Sequence, residues 1–141
     1  MNTFTIYTDG GARGNPGPAA TGVVIYDHAH NEAGRFSSFL GTATNNQAEY
    51  QALILGLGRV LKLIDNDHTA SEATVEAYLD SELIVRQMGG EYTVKNKDLK
   101  PLHAKVQELA FKFHNVTFHH IPRAENALAD SLVNQELDKH T

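Results

Sequence analysis

A chain of 141 residues with 41% apolar side chains is sized for a single domain, residues 1–141, able to bury a substantial core. The complete lack of cysteine excludes a disulfide scaffold, a thiolate zinc site and a cysteine nucleophile. A net charge of −5 argues against a general nucleic-acid binder. With no basic-then-apolar leader at Met1 and no apolar run of membrane-spanning length, the expectation is a soluble, cytoplasmic protein without membrane contact.

In chain order, Thr3-Phe4-Thr5-Ile6-Tyr7 alternates at the period of a strand and ends by delivering Asp9. The run from Gly10 to Pro18 reads as a glycine-rich loop. It fits neither G-x-G-x-x-G nor a Gly-Lys-Ser/Thr phosphate loop, and Pro16 and Pro18 stop a helix from opening there. Ala20 to Tyr26 and Arg35 to Leu40 are two further strands, joined by a turn at Asn31-Glu32-Ala33-Gly34, and short connections make the three an antiparallel meander. Asn45-Asn46-Gln47-Ala48-Glu49 then opens a long helix with Asn46 as N-cap, apolar at Leu53, Leu57, Val60, Leu61 and Ile64 and ended by Asp65-Asn66-Asp67-His68.

A helical crossover makes the fourth strand, Thr74 to Leu79, parallel to the first, and Asp80 follows at its end. Ser81 to Met88 is a short helix stopped by Gly89-Gly90, and Asp98 to Phe113 is a plainly amphipathic one. Val116 to Ile121 is the fifth strand, stopped by Pro122, and Glu125 to Leu137 the last helix. The fold class is α/β: a mixed five-stranded sheet, three antiparallel strands then two parallel, flanked by helices.

Asp9 and Asp80 fall at the rim of the sheet where open α/β folds place ligands. Glu49 and Asp130 lie in helices that can meet that rim. Each acid has an ordinary alternative: Glu49 can complete a capping box with Asn46, Asp80 can cap the helix after it, and Asp130 can sit in solvent. Gathered together, four carboxylates repel one another and call for cations, and an all-oxygen set suits Mg²⁺ or Mn²⁺ better than zinc. Separately, Lys95, Lys97, Lys100 and Lys105 put four of the seven lysines within eleven residues, a local basic strip in an acidic chain or a solvated lysine face.

Tyr7-Thr8-Asp9-Gly10-Gly11-Ala12-Arg13-Gly14-Asn15-Pro16-Gly17, Thr44-Asn45-Asn46-Gln47-Ala48-Glu49, Asp80-Ser81-Glu82 and Asn126-Ala127-Leu128-Ala129-Asp130 resemble the successive motifs of the ribonuclease H type 1 family. The resemblance implies the ribonuclease H fold and endonucleolytic cleavage of the RNA strand of RNA–DNA hybrids, leaving 5′-phosphate products. It implies two Mg²⁺ ions, with Mn²⁺ as a substitute, held by Asp9, Glu49, Asp80 and Asp130. It also implies substrate contacts by Gly11, Arg13, Asn15, Thr44, Asn45, Asn46, Glu82 and Asn126, with backbone near Gly11 approaching 2′-hydroxyls and Thr44 and Arg13 meeting phosphate. Turn and cap duty is the alternative for the asparagines. No obligatory protein partner is implied, and a monomer is expected.

Two departures from the family pattern stand out. Many relatives carry a histidine before the last helix, where this chain has Arg123, which cannot exchange protons near neutral pH and so would act through its charge. His119 and His120 do not take over that role. Some relatives carry a tryptophan-rich basic protrusion where this chain has only residues 89–97, so the reading is a compact form without that protrusion or a hybrid-binding domain. Its grip on the DNA strand falls to Lys95, Lys97 and Tyr92. Glutamine is common where Glu82 stands. The rival readings are a non-cutting module of the same fold and an exonuclease, the latter disfavoured because Gly11 occupies the place of a second acid.

Overall fold

The computed structural model describes residues 2–64 and 70–140. Its strands are β1 (Thr3–Ala12), β2 (Gly17–Tyr26), β3 (Glu32–Ala43), β4 (Thr74–Leu79) and β5 (Asn115–His120), and its α-helices are α1 (Asn45–Ile64), α2 (Glu82–Met88), α3 (Lys100–Ala110) and α4 (Ala127–Lys139). The strands form one sheet in the order β3-β2-β1-β4-β5. β2 runs antiparallel to both β1 and β3, while β4 is parallel to β1 and to β5. The expected mixed sheet is therefore the observed one. No helix among the described residues is long and apolar enough to cross a membrane.

Several local expectations need correction. β1 does not end at Asp9: Gly10, Gly11 and Ala12 stay in the strand, paired with Thr21, Ala20 and Ala19, because glycine accepts extended backbone and the reversal is confined to residues 13–16. The β2–β3 turn lies at 27–31, not 31–34. Asp27 Oδ1 accepts the Ala29 and Asn31 N–H groups there, and β3 already begins at Glu32. Asn46 does not cap α1. Thr44 Oγ1 accepts the Gln47 N–H (3.1 Å) while Gln47 Oε1 accepts the Thr44 N–H (2.8 Å), a reciprocal capping box two residues earlier. The expected helix end at 65–68 lies outside the described residues.

One face of the sheet packs Ile6, Val23, Ile25, Val75, Ala77 and Leu79 against Leu53, Leu57 and Val60 of α1, Ile84 of α2 and Val106 and Leu109 of α3. On that side the buried Tyr50 hydroxyl donates to Gln87 Oε1 at 2.6 Å, so the one phenol in the core keeps its hydrogen bond. The other face is covered by α4, whose Val133 and Leu137 pack on Ala20. Beyond α4, Tyr7, Tyr78 and His119 stack across β1, β4 and β5, with His119 bonded to Glu76. His119 is thereby a structural residue.

Two glycines decide how closely the helices approach. A Cβ on Gly10 would lie 2.2 Å from the carbonyl carbon and oxygen of Ala48 in α1, and one on Gly22 would lie 2.3 Å from the carbonyl oxygen of Ala129 in α4. Neither neighbour is a side chain that could swing aside, so even a methyl group would displace helix backbone. Gly10→Ala should therefore destabilise the protein by about 3 kcal/mol or more, read as a lower urea midpoint at unchanged slope. Unaltered stability would mean that α1 is free to slide.

Candidate active site

The parallel pairing of β1 with β4 ends at Tyr7 opposite Tyr78. Asp9 and Asp80 each lie two residues beyond that last pair, so the register brings them to the same rim from neighbouring strands. α1 adds Glu49, held there because the preceding Ala48 rests on Gly10. α4 adds Asp130 in the same manner, since the preceding Ala129 rests on Gly22, the partner of Asp9 across the antiparallel pair. Asp80 is not a helix cap: Ser81 accepts the Ile84 N–H and leaves the carboxylate free of that duty.

Carboxylate oxygens of Asp9, Glu49 and Asp80 all lie within 4.8 Å of one another. Asp130 and Arg123 join these three in lining one cavity of ≈ 340 Å³. A second cavity of equal volume is lined by Tyr7, Tyr26, Tyr78 and Glu125 and gathers no comparable set of acids. All four acids are thus brought together, the first three in contact range.

Crowding shows in their acidities. Burial pushes the Asp9 carboxyl up to about 7; a hydrogen bond from Glu49 opposes this, and the charges of Asp80 and Asp130 add to it. Burial, followed by the charge of Asp9, holds Glu49 well above the usual carboxylate range. Burial also raises Asp80 and Asp130 adds to it, while the Arg123 guanidinium and the Asn126 amide pull it down. Glu49 Oε2 and Asp80 Oδ2 are buried with no hydrogen-bond partner among the described residues. Such oxygens leave a large desolvation cost unmet unless a proton or cation meets them, and a hard divalent ion suits the set.

Around the acids, Asn15 Oδ1 accepts the Asn45 N–H and Asn45 Oδ1 accepts the Ala12 N–H, each at 2.9 Å, locking the glycine loop to the start of α1. These bonds use only the carbonyl oxygens of the two side chains. Asn46 borders both the acid cavity and an adjoining one of ≈ 160 Å³ that includes Asn15 and Thr44, so these residues form one surface. Gly11 and Arg13 also line the acid cavity, and Arg13 Nη2 pairs with Asp138 Oδ1 at 2.7 Å.

The remaining expected contacts lie elsewhere. Glu82 pairs with Arg86 on the outside of α2, and Arg86 also meets Glu91 and the Tyr92 ring. Lys95 and Lys97 are exposed on the segment between α2 and α3, and neither lines the acid cavity. Asn126 requires correction, because it is only 1% exposed and cannot meet a nucleic acid at the surface. Sequence reasoning missed Asn134, whose Nδ2 donates to Asp130 Oδ2 at 3.4 Å; its i+4 spacing from Asp130 was the available signal.

The Reverse transcriptase-like family matches residues 7–136. Among characterised sequences, the bifunctional protein Rv2228c of Mycobacterium tuberculosis is 42% identical over 94% of this chain, and the ribonuclease HI of Halobacterium salinarum is 37% identical over 94%. The chain spans only 35% and 63% of the lengths of those two proteins. Among solved structures, LC11-RNase H1, isolated from compost by a metagenomic approach, superposes with a TM-score of 0.90 at 49% identity, covering 99% of both chains. The same protein in complex with an RNA/DNA hybrid gives 0.90 at 48% identity, covering 97% of this chain and 98% of the other. With nearly all of its length inside the family match, and its fold shared end to end with a relative half identical to it, the chain belongs to the ribonuclease H type 1 family.

Proposed function

We propose that the protein is a divalent-metal-dependent endoribonuclease that hydrolyses the RNA strand of RNA–DNA hybrids and leaves 5′-phosphate ends. The observation that carries this reading is the close approach of the Asp9, Glu49 and Asp80 carboxylates, with Glu49 Oε2 and Asp80 Oδ2 buried without a partner among the described residues and Asp130 on the same cavity. The hybrid bound by the LC11 relative supports the choice of substrate. Asp9, Glu49, Asp80 and Asp130 would hold two Mg²⁺ ions, or Mn²⁺ in their place. Such ions supply an activated water and charge stabilisation for the leaving oxygen. A monomer working in the cytoplasm suffices.

The chain's own groups do the rest. Asn45 and Asn15 keep their amide N–H groups for bases or sugars, while the polar surface from the acids to Thr44 gives a duplex a continuous path. Arg13 can exchange its exposed partner Asp138 for a phosphate, because surface ion pairs hold weakly. Lys95 and Lys97 add a salt-sensitive hold on the other strand.

Arg123 stands beside Asp80 and remains exposed. Arg123→Ala should slow turnover about 10-fold without adding an ionisation to the pH–rate profile. A profile of changed shape would mean that Arg123 has a part in proton transfer. The test of the whole reading is incubation with matched RNA–DNA, RNA–RNA and DNA–DNA duplexes, with and without Mg²⁺. Cleavage confined to the RNA strand of the hybrid and dependent on the metal is the expected outcome, and an uncut hybrid would end it.

A further inference from the structure

We infer that Asn126 is a positioning residue for the acid cluster, tying the strand that carries Asp9 to the helix that carries Asp130, an inference that rests on the function proposed above. It sits at the junction of a single 3-10 turn, Arg123–Asn126, and α4. Its Nδ2 donates to the backbone carbonyl of Thr8 at 2.8 Å, across 118 residues of sequence. Thr8 is the residue before Asp9, and Asp130 follows Asn126 by four positions in α4. One hydrogen bond therefore fixes the start of the last helix to the strand that bears the first acid.

The Asn126 Oδ1 is buried with no partner among the described residues, a cost that packing alone would not retain. A leucine of similar shape would avoid that cost.

Groups that orient metal-binding side chains typically matter about 10- to 100-fold in metal affinity or activity. We expect Asn126→Leu and Asn126→Ala to weaken Mg²⁺ binding to the free protein by at least about 10-fold, measured calorimetrically well below each variant's Tm. Hybrid binding without metal should stay within about 2-fold of the parent, and the loss in hydrolysis should fall on kcat rather than KM. Folded variants with parental Mg²⁺ affinity would overturn the inference, and so would a loss of hybrid binding equal to the loss of metal binding.

If neither variant folds, the parent protein still decides. The Asn126 side-chain amide protons should be protected from exchange and shift on Mg²⁺ titration, and rapid exchange or no shift would overturn the assignment. A parent that neither binds Mg²⁺ nor cuts hybrid refutes the proposed function instead, so the two failures are distinguishable.

Discussion

Asp80→Asn should give a protein that binds an RNA–DNA hybrid and does not cut it. The substitution keeps the shape of the side chain at the end of β4 and removes one of three carboxylates whose oxygens lie within 4.8 Å of one another. A neutral amide cannot balance a divalent ion, so the expected loss in kcat is at least roughly 10³-fold, on the order of 4 kcal/mol of transition-state stabilisation. Hybrid affinity without metal should hold or improve, because a negative charge facing the phosphates is gone. The metal-free variant should also gain stability at pH 8, where the parent confines two buried acids and a half-buried third. Undiminished cleavage would remove Asp80 from the site.

Lowering the pH should stabilise the metal-free protein, the reverse of ordinary acid behaviour. In the unfolded chain Asp9 releases its proton near pH 3.8, whereas in the folded protein it keeps it up to about 7. Between those values the folded state binds more protons, so stability is greatest near the lower pH and declines as the pH rises through the upper one. About three pH units correspond to about 4 kcal/mol at most. Glu49 and Asp80, both raised, act in the same sense. Urea midpoints measured without metal should fall between pH 5.5 and 8, and millimolar Mg²⁺ should recover most of the loss at pH 8. A midpoint that rises with pH in the absence of metal would show that these acids are not crowded in solution.

The architecture was legible because its signals are local: alternation marks the strands, helical spacing marks α1 and α3, and a helix between two strands enforces a parallel pair. The four acids were legible through their motifs. Capping was misread because Asn46 and Glu49 repeat the spacing that Thr44 and Gln47 use, and only the fold selects between the two boxes. The β2–β3 turn was misplaced because Asn31 to Gly34 is as rich in turn formers as the true turn, which Asp27 fixes through its side chain. Asn126 resembled a surface contact until its partner, the Thr8 carbonyl, was known. No window of sequence brings residues 8 and 126, or 13 and 138, within sight of each other.

The glycines at 10 and 22 act by what they lack. Each seats an alanine whose successor is one of the helix-borne ligand candidates, so the gauge of the acid cluster is set by two missing methyl groups in the sheet. Widening that gauge by a fraction of an ångström would favour larger, more loosely coordinated ions such as Ca²⁺ over Mg²⁺, which demands close octahedral packing. At the metal site proposed above, selectivity among cations would be governed by backbone that touches no ion.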